Sequence, residues 1–134
     1  MHNIWIADDD EAIRLVLEES LSSAGFNTKS FSSGDDLVSE LEISEPDLII
    51  TDVQMPGMLG YDLLKHITNN YEDLPVIVMT AFADMQAAVE SFGGGAFEYM
   101  PKPFDLEDAI KIVERALEEK PKTKGLKKDT KLDI

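Results

Sequence analysis

Asp47–Gly60, DLIITDVQMPGMLG, is the stretch whose reading decides the fold. It opens on Leu48-Ile49-Ile50-Thr51, a short apolar run rich in β-branched residues, as expected of a strand buried on both faces. The run stops on an acid, Asp52, and a loop punctuated by Pro56, Gly57 and Gly60 follows. Parallel α/β sheets place their chemistry just beyond the carboxyl ends of the strands, so Asp52 stands where such a fold reacts.

Upstream of that stretch, Ile4-Trp5-Ile6-Ala7 reads as a first strand, and Asp8-Asp9-Asp10 follows at once. A helix is predicted from about Glu11 to Ala24, with Ile13, Val16, Leu17 and Leu21 on one face and Gly25 as its stop. Asn27 to Phe31 forms a second strand, and Ser33 caps a helix whose apolar positions are Leu37, Val38 and Leu41. Downstream, Tyr61 to Asn69 is a third helix, with Leu63, Leu64 and Ile67 inward. Pro75 introduces a fourth strand, Val76 to Met79, which ends at Thr80-Ala81. Asp84 caps a short helix through Ala87, Ala88 and Val89, closed by Gly93-Gly94-Gly95. The fifth strand runs from Ala96 to Met100 into Pro101-Lys102-Pro103. Asp105 caps a last helix that buries Ala109, Ile110, Val113 and Leu117. Five strands alternating with five helices call for an α/β fold, a doubly wound five-stranded parallel sheet with right-handed crossovers. The flavodoxin-like order 2-1-3-4-5 is the expected one.

Composition narrows the functions. The 134 residues form one domain, residues 1–119, followed from Pro121 by a stretch without apolar period that reads as a linker or disordered tail over 120–134. Cysteine is absent, so neither disulfides nor thiolate metal sites are available. No signal peptide or bilayer-length apolar run is seen, and the expectation is a soluble, cytoplasmic protein without membrane contact. The net charge of −15 is uneven: residues 1–119 hold six bases against 25 acids, and the last fifteen residues hold the other six bases against two acids. A body this acidic repels a phosphate backbone, so direct nucleic-acid binding by this domain is not expected.

Four features fall at strand carboxyl ends: the Asp8-Asp9-Asp10 run, Asp52, Thr80 and Lys102. Taken singly each has a structural explanation, since acids after strands cap helices and a lysine beside prolines is usually a solvated loop residue. In the expected order, strands one, three, four and five are neighbours, and the four features converge on one rim. Three crowded carboxylates cannot all stay ionised without a counter-cation. Oxygen-only ligands select a hard cation, Mg²⁺ first among them. Mg²⁺, an ammonium and a hydroxyl around a protruding carboxylate suit phosphoryl transfer to that carboxylate. Nucleotide binding after strand one is disfavoured, because three negative charges stand where a glycine-rich phosphate turn would be needed.

The acidic run, D-V-Q-M-P-G around Asp52, T-A at Thr80-Ala81 and K-P-F at Lys102 to Phe104 together resemble the receiver domain of two-component response regulators, over roughly residues 3 to 119. I-W-I-A-D-D-D, L-P-V-I-V-M-T-A and G-A-F-E-Y-M-P-K-P-F-D are most similar to the N-terminal receivers of NtrC-type (nitrogen regulatory protein C) sigma-54 activators. The resemblance implies that Asp52 accepts a phosphoryl group from a phosphohistidine on a sensor histidine kinase. It implies that Asp9, Asp52 and the Gln54 carbonyl ligate Mg²⁺, with Asp8 acting partly through water and Asp10 as an extra acid. It implies that Lys102, before a cis Pro103, pairs with the phosphoryl group, and that Thr80 and Tyr99 switch. Helix four, strand five and helix five would be the output surface. The expected partners are the kinase, C-terminal ATPase and DNA-binding domains of a longer protein, and a second receiver in a homodimer. On this reading the chain is a phosphoprotein of signal transduction and transcription regulation rather than an enzyme with an external substrate.

Two departures stand out. Leu59 occupies a position where the family usually has an acid, and an apolar residue there favours a partner contact. The Gly93-Gly94-Gly95 run is richer in glycine than the pattern asks for, which loosens the end of helix four, each helical glycine costing about 1 kcal/mol. A free-standing receiver of the phosphorelay or chemotaxis type is the alternative. An aspartyl phosphatase of the haloacid-dehalogenase type would need an acid two residues after its nucleophile, where this chain has Gln54, and a cap insertion it lacks.

Overall fold

The apolar runs become five parallel strands, and their order in the sheet is β2-β1-β3-β4-β5. The computed structural model describes residues 1–55, 57–92 and 95–133, the side chains of 82, 91, 92 and 120–133 excepted. In chain order the elements are β1 (Asn3–Ala7), α1 (Glu11–Ser23), β2 (Asn27–Phe31), α2 (Gly34–Leu41), β3 (Leu48–Asp52), α3 (Gly60–Asn70), β4 (Val76–Ala81), α4 (Met85–Phe92), β5 (Glu98–Lys102) and α5 (Leu106–Asp133). This is the flavodoxin-like arrangement expected from the sequence.

Alternation along the strands splits the core in two, because successive side chains of a strand point to opposite faces. Ile4 and Ile6 of β1, Leu48 and Ile50 of β3, and Ile77 and Met79 of β4 pack with Leu17 and Leu21 of α1 and Val113 of α5. On the other face, Trp5, Ile49, Val76 and Val78 pack with Leu37 of α2 and Leu63 and Ile67 of α3. Both clusters are built from residues with almost no exposed surface. Fully burying one such side chain stabilises the fold by about 1.5–3 kcal/mol, so the sheet is a stiff platform for whatever sits on its rim.

Local chemistry sets the ends of the helices. Asp10 caps α1, its carboxylate accepting the Ala12 amide at 2.9 Å. Gly25, at φ 98°, turns the chain after α1 into β2. Ser33 caps α2 through the Asp36 amide at 3.2 Å, and Asp105 accepts the Glu107 amide at 2.8 Å before α5.

Three details differ from the sequence reading. Val16, expected inward, is 44% exposed, because the buried stripe of α1 runs through Leu17 and Leu21 and leaves Val16 about a quarter turn away. The fifth strand is Glu98–Lys102 and not Ala96–Met100: its ladder with β4 begins at Ile77↔Glu98 and carries on to Ala81↔Lys102. Pro101 is tolerated within it because β5 is an edge strand. Asp84 lies in a 3-10 turn, Phe82–Asp84, that leads into α4. The backbone of α5 continues through Pro121 to Asp133. The buried face of α5 nonetheless ends at Leu117, among the described residues. Pro121 cannot donate to the Leu117 carbonyl one turn earlier, so hydrogen bonding is interrupted where packing stops. Gly93 and Gly94 of the glycine run, and Pro56 of the acceptor loop, lie outside the described residues.

Candidate functional site

Parallel strands bring their carboxyl ends to one rim, and the order β1-β3-β4-β5 gathers the acid run, Asp52, Thr80 and Lys102 there. The key contact joins residues 94 apart in sequence: Lys102 Nζ donates to Asp8 Oδ2 at 2.8 Å. The same ammonium lies 3.3 Å from Asp52 Oδ1. β4 stands between β3 and β5, so Lys102 reaches along the rim and not across a single strand pair.

Asp8 is fully buried and held at every polar atom. Its amide donates to the Phe31 carbonyl at 3.1 Å, its Oδ1 accepts the Asp10 amide at 2.9 Å, and its carbonyl accepts Arg14 Nη1 at 2.7 Å. Asp52 is more open; its Oδ1 accepts the Val53 amide at 2.9 Å. Asp9 is exposed, yet one of its oxygens and one each from Asp8 and Asp52 lie within 4.8 Å of one another. Asp10 is not part of this group, its side chain being the cap of α1.

At 4.8 Å and an effective dielectric constant of about 20, the Asp8 and Asp52 carboxylates repel by about 3 kcal/mol. Burial first and the Asp8 charge second push the Asp52 carboxyl above its ordinary value, and Lys102 with the Val53 amide pulls it back only in part. For Lys102, burial acts to lower the ammonium, but the hydrogen bond to Asp8 and the charges of Asp52 and Asp8 outweigh it and hold the group above the usual lysine value. Lys102 is therefore the cation that makes the cluster tolerable in the protein alone.

Asp52 opens into a cavity of about 470 Å³ lined by Gln54, Tyr61, Thr80, Ala87 and Lys102 among others. Thr80, 4% exposed and next to last in β4, is among its lining residues. Tyr99 is half-buried on β5, packed against the Trp5 side of the core, and does not line this cavity. Leu59 and Tyr61 stand exposed at a second opening, beside Asp9 and Asp52. The Lys102–Pro103 bond is cis.

Three carboxylates, with no His or Cys joining them among the described residues, fit a hard divalent cation. Two residues escaped the sequence reading. Arg14, the one base on α1, carries no motif in the sequence, yet it reaches back to the Asp8 carbonyl. Gly60 was read as punctuation, yet a Cβ there would overlap the Asp52 carbonyl, so the start of α3 packs directly on the residue at the centre of the site.

Comparison with known proteins identifies the family. A family model described as response regulator receiver domain matches residues 4–114. The DNA-binding transcriptional regulator NtrC of Salmonella typhimurium is 46% identical over 114 residues, covering 85% of this chain and 24% of that protein. NtrC of Rhizobium meliloti is 43% identical over 116 residues, covering 87% of this chain and again 24% of the relative. The chain thus spans about a quarter of the length of the curated relatives it matches. The solution structure of the apo receiver domain of nitrogen regulatory protein C superposes with a TM-score of 0.81 at 44% identity, covering 88% of this chain and 95% of that one. NtrX from Brucella abortus in complex with ADP gives a TM-score of 0.88 at 26% identity, covering 94% of this chain and 29% of that one.

Proposed function

This chain belongs to the response regulator receiver family, in its NtrC-type branch, and from that premise we propose that Asp52 is its phosphoacceptor. A sensor histidine kinase donates the group. An Asp52 carboxylate oxygen forms the new P–O bond as the P–N bond to the donor imidazole breaks, and the imidazole leaves with that electron pair and takes up a proton. The observation that carries the reading is the placing of one ammonium, Lys102, against both Asp8 and Asp52 at 2.8 and 3.3 Å beside an open cavity.

Each residue then has a task. Asp8, fixed by four hydrogen bonds, anchors Lys102 where it can pair with a phosphoryl oxygen. Thr80, among the cavity's lining residues, donates its hydroxyl to another of those oxygens. Receiver domains bind Mg²⁺ at an acidic pocket, and the Asp8, Asp9 and Asp52 group is such a pocket. Asp9, Asp52 and the Gln54 carbonyl would hold the ion, with Asp8 at one remove. When bound, Mg²⁺ supplies the positive charge that offsets the carboxylates and the transferring phosphoryl group.

Phosphorylation biases a two-state equilibrium through Thr80 and Tyr99, and α4, β5 and α5 form the surface that changes. In the longer protein, residues 120–134 link the receiver to ATPase and DNA-binding domains that control sigma-54 dependent transcription in the cytoplasm, receiver pairing being part of the output. Among the described residues no helix is long and apolar enough to cross a membrane.

The test is incubation with Mg²⁺ and acetyl phosphate, or Mg²⁺ and beryllofluoride, comparing the wild type with Asp52→Asn. The wild type is expected to gain one phosphoryl group by intact mass and to change its Trp5 fluorescence only when Mg²⁺ is present. A variant that labels equally well, or a wild type that hydrolyses a generic phosphomonoester with turnover, overturns the reading.

A further inference from the structure

The loop between β3 and α3 carries Gln54, and its described residues are held at two places. Near α3, the Gly60 amide donates to the Val53 carbonyl at 2.8 Å. Further along, the loop rests on α2, an element that contributes no carboxylate to the metal pocket. The Met58 amide donates to Asp35 Oδ2 at 3.4 Å. Gly57, at φ 77°, lies so close to that same oxygen that a Cβ on it would stand 2.5 Å away. Gly34, the first residue of α2, meets Met58 closely, though less tightly: a Cβ there would lie 3.2 Å from the Met58 carbonyl oxygen. The first turn of α2 therefore touches two consecutive loop residues, and Gln54 lies between this clasp and β3.

We propose that Asp35 is a positioning residue for the metal pocket, acting through the backbone of Gly57 and Met58 to set the loop that presents the Gln54 carbonyl. The proposal rests on the reading of that pocket as a Mg²⁺ site. Asp35 is exposed at the start of α2 and is not in the aspartate group itself, so it acts by geometry and not by coordination. A loop already held in its binding shape loses less freedom when the cation arrives, and affinity rises accordingly.

The variants Asp35→Ala and Asp35→Asn separate geometry from charge. Asparagine keeps an oxygen that accepts the Met58 amide, whereas alanine removes it, and both lose the negative charge. Titration of the full chain with Mg²⁺, followed by Trp5 fluorescence or calorimetry, is expected to show Asp35→Ala weakened about three- to tenfold. Asp35→Asn should stay within about twofold of the wild type. In the metal-free protein, hydrogen exchange at the Met58 amide should quicken in Asp35→Ala and not in Asp35→Asn. Equal weakening by both variants assigns the effect to charge and overturns the proposal, as does unchanged affinity in Asp35→Ala. A Met58 amide that exchanges at the unprotected rate in the wild type overturns it without any variant. A wild type that fails to bind Mg²⁺ at all refutes instead the reading of the pocket on which the proposal rests.

Discussion

Replacing Asp52 by asparagine should stabilise the metal-free protein, although it destroys the acceptor. At neutral pH the wild-type carboxylate carries the cost of its burial and is repelled by Asp8, by about 3 kcal/mol at the 4.8 Å limit of their separation. Its attraction to Lys102 at 3.3 Å returns about 5 kcal/mol on the same scale. Burial, the largest effect, together with the Asp8 charge outweighs that attraction, so removing the charge leaves asparagine ahead by about 1–2 kcal/mol. Asparagine keeps an oxygen for the Val53 amide, so no buried donor is orphaned. For a domain of this size that gain raises Tm by about 3–8 °C. The pH dependence follows from the direction of the Asp52 shift. Its carboxyl lies above the ordinary value of 3.8 in the folded state, so the folded protein holds this proton to higher pH than the unfolded chain does. The advantage of asparagine should be absent below 3.8, grow as pH rises through the folded-state value, and then level off toward neutrality. Mg²⁺ at about 100 times its dissociation constant adds about 2.7 kcal/mol to the wild type and less to the variant, so the gap should close or reverse. Thermal melts by circular dichroism, in chelator and in Mg²⁺, measure all of this. An Asp52→Asn variant that is less stable than wild type in chelator at neutral pH refutes the electrostatic reasoning, as does an equal Mg²⁺ gain in both proteins.

The other predictions probe the same rim. Lys102→Met leaves the fully buried Asp8 without its counter-ion and should cost about 3–5 kcal/mol in urea unfolding, partly restored by Mg²⁺. Asp10→Ala removes the α1 cap and should cost about 1 kcal/mol while leaving Mg²⁺ affinity within about twofold, in contrast to Asp9→Ala, which should abolish it. Gly60→Ala forces a Cβ onto the Asp52 carbonyl and should cost about 1–3 kcal/mol, with acetyl phosphate labelling slowed beyond what stability alone explains.

The sequence by itself determined the ladder of elements and the fold, because hydrophobic period and punctuation are local properties. Apolar runs of strand length, each followed by a helical stripe, admit few topologies once crossovers must be right-handed. The convergence of Asp52, Thr80 and Lys102 on one rim followed from that order, since parallel strands all end on the same side. What the sequence left open depended on register and on third neighbours. The start of β5 was misplaced by two residues because its limits are set by the ladder with β4 and not by its own apolar content. Val16 was assigned inward because a periodic pattern fixes the stripe of α1 only to within about a quarter turn. Asp8, Asp9 and Asp10 are indistinguishable in a row of three. Only the packed fold buries Asp8 under Lys102, turns Asp10 back to cap its own helix, and leaves Asp9 facing the opening. The physical reason is range: secondary structure is written in contacts a few residues apart, whereas the division of labour among these carboxylates is decided by an ammonium 94 residues away.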